Sequence, residues 1–379
     1  MYTLFTNIFK RAAYGTVPCH RLLGIRYTGA CMRKFVISPK GIAAELLLIV
    51  LAAALLFGRA NAEKTAAVAN EKEDDYIKWV EFNVCYEALD KAYQYDVDTY
   101  GKEPHLDWVE LLSFLGAKYG GDFTSYKASD MDTLAEQLSQ DGTDMETLTK
   151  DMQYYEYYHE AYESVLGGMV GTFKIQGEDG KYTETYGLKA FHPIAKGFPY
   201  GDYDDFGVSR TYGYKRNHLG HDMMGQVGTP VVAVESGYVM ELGWNQYGGW
   251  RIGVSSFDNR RYYYYAHLRQ DFPFAKSLKE GSVVQAGDVI GYMGRTGYST
   301  KENVNNIDTY HLHFGLQLIF DESQREGNNE IWIDPYPLVR FLYRNQSTAK
   351  RDDATKEWQR IYNIKDPAVE KYIKDSQDK

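Results

Sequence analysis

The chain of 379 residues reads as an α+β protein of several domains: an N-terminal signal or anchor segment, a small all-α helical bundle, and a mainly antiparallel β domain. Three observations predict this. Seven Lys or Arg and no Asp or Glu occupy residues 1–40, just ahead of the apolar run LLLIVLAAALLF at 46–57. Between about residues 76 and 166, apolar side chains recur at helical spacing. After Gly167, short runs such as VVAVESGYVMEL, WRIGVSS, RRYYYYAHL, DVIGYMG and HLHFGLQLIF alternate with turn signals, the rhythm of antiparallel strands.

A basic stretch, a short apolar core and the small-residue site Ala60, Asn61, Ala62 form the pattern of a secretory signal peptide cleaved after Ala62. A spanning helix needs about twenty apolar residues, which this run reaches only by admitting Glu45 and its flanks. A retained membrane anchor through residues 41–57 is therefore the second expectation. MRKFVISPKGIAAELL is an ordinary signal beginning by itself, so Met32 competes with Met1 as the start, and residues 1–31 receive no function. The divisions are 1–40 basic, 41–62 signal core or anchor, and 63–75 a polar spacer. The formal net charge is -10, and the seven early positives leave -17 on the remainder. Such acidity argues against nucleic acid as a partner. Positive charge ahead of the apolar run places the rest outside the cytoplasm. Only Cys85 follows that run, so no intrachain disulfide is expected there.

The helical region at 76–166 is expected to form four helices with a core of their own. Ile77, Val80, Val84 and Ala88 fit the first. Pro104 suits the first turn of a second, bearing Trp108, Leu111, Leu112, Leu115 and Tyr119 and stopped by Gly120 and Gly121. Ser129 with Asp132, and Thr143 with Glu146, resemble capping boxes of two more, the last running to Gly167. Its tyrosines, Tyr154 to Tyr162, read as bundle packing. Residues 167–189 look like a hairpin connector, 190–343 form the β domain, and 344–379 read as a charged surface appendage with a helix through Trp358, Ile361 and Tyr362.

Four islands in the β domain carry chemistry: HLGHD at 218–222, YYYYAHL at 262–268, GDVIGYMGRTGYST at 287–300 and HLHF at 311–314. Catalytic zinc takes three protein ligands and keeps a fourth position open. His218, Asp222 and one histidine of the HLH pair supply such a set. On a strand, His311 and His313 point to one face, so one binds metal while the other stands over the reacting water. Gly220 permits a tight bend that aims His218 and Asp222 at one point. An HxH or HxxxD alone is weak, whereas both, in this order with AHL and the glycine-rich hairpin, make a hydrolytic metal set.

On these residues the chain resembles the lysostaphin and LytM type of zinc endopeptidase, which cuts the peptide cross-links of bacterial cell walls. After HLGHD, MMGQVGTPVVAVESGYVMELG is similar to that family's "GTPVVA" strand, LKEGSVVQAGDVIGYMGRTGYST to its glycine-rich hairpin, and HLHFGLQ to its final catalytic strand. The resemblance covers residues 190–340. It implies a lysostaphin-like metallopeptidase domain that binds one Zn2+ through His218, Asp222 and His313. His311 is implied as general base, and His267 as the group that orients water or stabilises the oxyanion. The implied substrate is peptidoglycan stem peptide or cross-bridge; the signal segment makes the expected setting extracytoplasmic, secreted or cell-wall associated, or else anchored by a single membrane pass with the catalytic domain outside. KENVNNIDTY at 301–310 and DESQREGNNE at 321–330 depart from the family and are expected to alter substrate access. His221 matches no ligand position, nor do His105, His159 and His192, although His192 stands at the domain entrance. The competing class is a scaffold whose metal domain docks a partner and whose helical bundle supplies the interface. With all five positions filled, the enzyme is favoured.

Overall fold

The computed structural model describes residues 76–377, apart from Gly213, Glu326 and Asn328. The basic segment, the signal or anchor and the spacer lie outside the described residues. Among the described residues no helix is long and apolar enough to cross a membrane. The described residues all fall in one compact unit.

The helical region begins later than its spacing predicts. Val80, Phe82 and Val84 are buried while Glu81 and Asn83 are exposed, the two-residue period of an extended chain. Helix α1 spans Tyr86–Thr99 and α2 Trp108–Tyr119. Asp107 opens α2 by accepting from the amides of Val109 and Glu110, so Pro104 lies ahead of the helix and not in its first turn. Gly120, at φ 64°, ends it. Helix α3 spans Ala128–Leu138 and starts before Ser129, which therefore caps nothing. Asp144, one residue beyond the expected Thr143, caps α4 (Met145–Thr149) through the Thr147 amide. The long last helix is interrupted: the Thr149 hydroxyl bonds back to the Met145 carbonyl, the chain turns, and α5 occupies Tyr155–Leu166.

These helices share their core with the β domain. Trp108 of α2 stacks on Phe341 of α6 (Tyr336–Leu342) at 5.8 Å between ring centroids, and Tyr93 of α1 stands edge-on to both. Leu111, Leu112 and Tyr162 belong to the same apolar cluster as Tyr263, Tyr265 and Phe314 beneath the sheet.

Strands β1 (Val170–Gln176) and β2 (Tyr182–Leu188) form the expected hairpin connector. A second hairpin, β3 (Ser209–Tyr212) with β4 (Tyr214–Asn217), leads to β5 (His221–Met224). Then come β6 (Pro230–Val232), β7 (Gly237–Asn245), β8 (Gly249–Ser256), β9 (Arg261–Ala266), β10 (Val283–Val284), β11 (Val289–Tyr292), β12 (His311–Leu318) and β13 (Ile331–Ile333). The main sheet is antiparallel, in the order β10-β7-β8-β9-β12-β13 with β5 also on β12. Strand β12 positions the site. Its start pairs with β5, setting His313 opposite Asp222, and its other edge sets His313 opposite Ala266 of β9. Leu312, Phe314, Leu316 and Leu318 are buried on one face, which leaves His311, His313, Gly315 and Gln317 on the other.

The tail is part of the fold. Trp358 lies on β15 (Trp358–Arg360), paired with β14 (Ala349–Arg351), and not on the expected helix. Strand β16 (Ile364–Lys365) joins β1, burying Ile364 against Phe173 and Phe191, and the helix comes only after it, as α7 (Pro367–Gln377).

Candidate metal centre

Three donor atoms from two adjacent strand regions converge. His218 Nε2 lies 3.0 Å from Asp222 Oδ1 and 2.8 Å from His313 Nδ1, and His313 Nδ1 lies 3.0 Å from the same Asp222 oxygen. Gly220 matters for a different reason from the expected bend. A Cβ there would stand 2.6 Å from His313 Cε1, so the missing side chain is what lets the His313 ring approach.

The donor chemistry fits a cation. His218 Nδ1 faces only acceptors, the Asp205 carbonyl at 3.0 Å and its carboxylate at 3.2 Å, and therefore carries the proton. Its Nε2 lone pair then points at a carboxylate oxygen and at another imidazole, an arrangement that repels unless a proton or a metal ion sits among the three. Without a metal the proton serves: burial pulls His218 down, but its bonds to Asp205 and Asp222 prevail and push it up to about 9. Burial raises Asp222, yet His218 and His313 hold it well below the usual carboxylate range. Burial also pulls His313 down, against the Asp222 bond.

The groups that support the triad carry no motif. Asp205, fully buried in an irregular stretch, holds His218 Nδ1, the His221 ring at 3.4 Å, the Asp222 amide at 3.3 Å and Arg210 Nη2 at 2.7 Å. Arg210 also reaches Asp222 Oδ2 at 3.3 Å, so the triad's carboxylate is fixed from behind. His221 is no ligand but a link, its Nε2 3.0 Å from Asp202. His192 stays away from the centre, buried against Tyr200 and Ile194.

The two remaining histidines stand beside the triad with rings 4.7 Å apart. His311 Nδ1 donates to the Thr309 carbonyl at 2.9 Å, and His267 Nδ1 to the Thr296 carbonyl at 2.9 Å. Each neutral ring thus presents an unprotonated Nε2, and that of His311 is 3.7 Å from Asp222 Oδ1. Burial, then the neighbouring His311 and His313, pulls His267 well below the ordinary imidazole range. His267 sits at φ 60° and Tyr298 at φ 47°, left-handed conformations that cluster at functional sites.

A cavity of 280 Å³ opens on the triad and is lined by Arg216, His218, Asp222, His267, Tyr298 and His313 among others. It adjoins a larger one of 670 Å³, which shares Leu219, Tyr247 and Tyr264 and extends over the sheet to Trp332 and Arg325. Of the tyrosine run, Tyr263 and Tyr265 lie in the core and Tyr264 faces the cleft. The 301–310 insert braces the rim: Asn306 binds the Tyr298 carbonyl, and Asn305 and Asn303 bind Gln270.

Residues 216–328, which hold all five predicted histidine and aspartate positions, match the model of peptidase family M23. This part of the chain is a peptidase family M23 domain. The L-Ala–D-Glu endopeptidase of Bacillus subtilis is 29% identical over 246 residues, 64% of this chain and 70% of that protein. Lysostaphin of Staphylococcus simulans is 38% identical over 159 residues, 42% of this chain and 27% of that protein. The structure of a Ruminococcus gnavus lytM protein aligns at a TM-score of 0.47 with 23% identity, covering 71% of this chain and 91% of that one. The M23 domain is thus similar in sequence to lysostaphin-type endopeptidases, and helices precede it on the same chain.

Proposed function

We propose that the chain is an exported zinc endopeptidase that hydrolyses amide bonds of peptidoglycan peptides. The observation that carries this reading is the convergence of His218 Nε2, Asp222 Oδ1 and His313 Nδ1 beside two imidazoles that present unprotonated Nε2 atoms. The name of the Bacillus subtilis relative, an L-Ala–D-Glu endopeptidase, supports a stem-peptide amide as the bond cut. The basic segment and apolar run support export, with release after Ala62 or attachment through residues 41–57.

Zinc held by His218, Asp222 and His313 would supply Lewis acidity, lowering the pKa of water toward about 7 and polarising the scissile carbonyl. His311 serves as base, because the Thr309 carbonyl commits its Nδ1 proton and leaves Nε2 free to accept one. His267 presents the same lone pair, so while neutral it accepts a hydrogen bond from the nucleophile and cannot donate to an oxyanion. Of the two roles expected for it, orienting the nucleophile is the one this geometry supports. The imidazole that takes the proton then has an N–H to deliver to the leaving amine. Arg210 and Asp205 keep the triad aligned throughout.

The test is incubation of the full chain with peptidoglycans of different cross-link chemistry, followed by mass spectrometry of the new amine termini. Zinc-loaded protein, chelated protein and His311→Ala are compared. Termini formed only by the zinc-loaded wild type identify the bond. No cleavage of any wall at full zinc occupancy refutes the peptidase reading, and wall binding retained under those conditions favours the docking scaffold.

A further inference from the structure

Arg216 lines the 280 Å³ cavity together with the metal triad, and its charge is unanswered. Other arginines of the cleft each have a carboxylate: Arg210 has Asp205 at 2.7 Å, Arg251 has Glu241 at 2.6 Å and Arg325 has Glu322 at 2.6 Å. Among the described residues no carboxylate pairs with Arg216, and that sets it apart; its Nε is buried without a hydrogen-bond partner, as is that of Arg251, which has Glu241 for its charge. A buried guanidinium N–H without an acceptor is costly and calls for an explanation, and a cation that lines a cavity with no carboxylate of its own offers its charge to what enters there.

The hairpin makes this more pointed. Arg216 on β4 lies directly opposite Arg210 on β3, and like charges in that position repel. Arg210 is neutralised by Asp205 and Asp222, whereas Arg216 has only two uncharged tyrosines. Its guanidinium lies 5.7 Å from the Tyr247 ring and 5.1 Å from the Tyr298 ring, and Nη2 donates to the Tyr298 hydroxyl. These contacts hold the planar fork in place without consuming its charge. A fixed guanidinium with free N–H groups matches a carboxylate.

We propose that Arg216 is a specificity residue that binds a free carboxylate on the substrate residue at or next to the scissile amide. The site then selects peptides carrying an acidic residue there over neutral, glycine-rich ones. Cleavage at this amide rests on the peptidase reading above, but recognition of the carboxylate can be measured without it.

The probes are acetyl-L-Ala-D-Glu-L-Lys and its D-Gln counterpart, which differ in one carboxylate. Binding to the zinc-loaded full chain is measured by calorimetry on the His311→Ala background, and hydrolysis on the wild type. A charge-assisted pair implies that the acid peptide binds about tenfold to a hundredfold more tightly than the amide. Arg216→Gln is expected to bring that ratio close to one, and Arg216→Lys to keep part of it. The ratio cancels general damage to the site, and the melting temperature and zinc affinity of each variant are recorded alongside. Equal affinities for the two peptides, no binding of the acid peptide, or a ratio unchanged in Arg216→Gln overturns the proposal. Acid-selective binding that needs Arg216, with no hydrolysis of either peptide and no cleavage of any wall, upholds it and instead removes the peptidase reading.

Discussion

Gly220→Ala adds one methyl group between the metal-binding loop and strand β12. The new Cβ would lie 2.6 Å from His313 Cε1, 2.7 Å from His313 Nε2 and 2.7 Å from the Phe314 carbonyl oxygen. Ordinary contact begins near 3.5 Å, so something must retreat by about 0.8 Å or more. The Phe314 carbonyl is on β12, which is paired on both edges, and yields less readily than the ring. The His313 imidazole is therefore displaced, and with it one of three donors that now stand 2.8 to 3.0 Å apart. Overpacking of this kind costs about 1–3 kcal/mol of stability. Misplacing a ligand by most of an ångström is expected to weaken zinc at least as much as losing a supporting group does, about tenfold to a hundredfold. Competition with a chromophoric chelator measures the affinity, and denaturant titration of the metal-free protein measures the fold. Wild-type zinc affinity in Gly220→Ala would show that His313 does not need this approach, and would refute the argument.

Four further outcomes follow from the same geometry. His311→Ala is expected to keep its zinc and lose about 10²–10⁴ in turnover, whereas His218→Ala and Asp222→Ala lose both; metal analysis beside a cleavage assay separates the two classes. Asp205→Asn removes the charge that fixes His218 and Arg210, and zinc affinity should drop about tenfold to a hundredfold with the far-ultraviolet circular dichroism spectrum retained; an unchanged affinity would strip Asp205 of its supporting role. Burial lowers His192 from 6.5 to about 4, so the folded protein binds fewer protons than the unfolded chain in that window, and stability should be complete above pH 6.5 and fall by about 3 kcal/mol toward pH 4. His192→Gln should flatten that part of the stability curve, and a slope identical to wild type would contradict it. Trp108→Ala should cost about 3–5 kcal/mol and lower one common transition in calorimetry, since its ring packs on Phe341; a helical region melting alone would speak against the shared core.

The five expected positions each lie in a short motif, and the structure brings their side chains to one place. His311 and His313 are two apart on β12, and the register then brings Asp222 opposite His313. The supports were hidden. Asp205 sits with Asp202 and Asp204 in GDYDDFG, and nothing local distinguishes the one that faces His218. Thr296 and Thr309 act through their backbone carbonyls, which leave no mark in residue type. The expected helix at 76–85 failed because Val80 and Val84 satisfy a helical period as well as the two-residue one that also takes Phe82. Ser129 and Thr143 looked like caps by composition, yet the first cap falls two residues earlier, at Lys127 with no side-chain bond, and the second one residue later, at Asp144, whose carboxylate accepts from the Thr147 amide. Trp358 and Ile361 mimicked a helical face over too few residues to outweigh strand pairing with β14.

The pairing of β16 with β1 bears on how this catalytic module can be moved. Lys365 meets Lys174 and Ile364 meets Ile175, so a strand downstream of the M23 domain completes a sheet begun upstream of it. The same clasp buries Ile364 with Phe173, Phe191 and Val232, the last on β6 within the domain itself. Cutting at the limits of residues 216–328 would remove both arms of the clasp, strip apolar surface bare and leave β13 missing from the edge of β12. In chimeras and domain transplants, the portable piece is accordingly the segment from the β1 hairpin through α7, and a donor spliced at narrower seams should aggregate before its chemistry can be assayed.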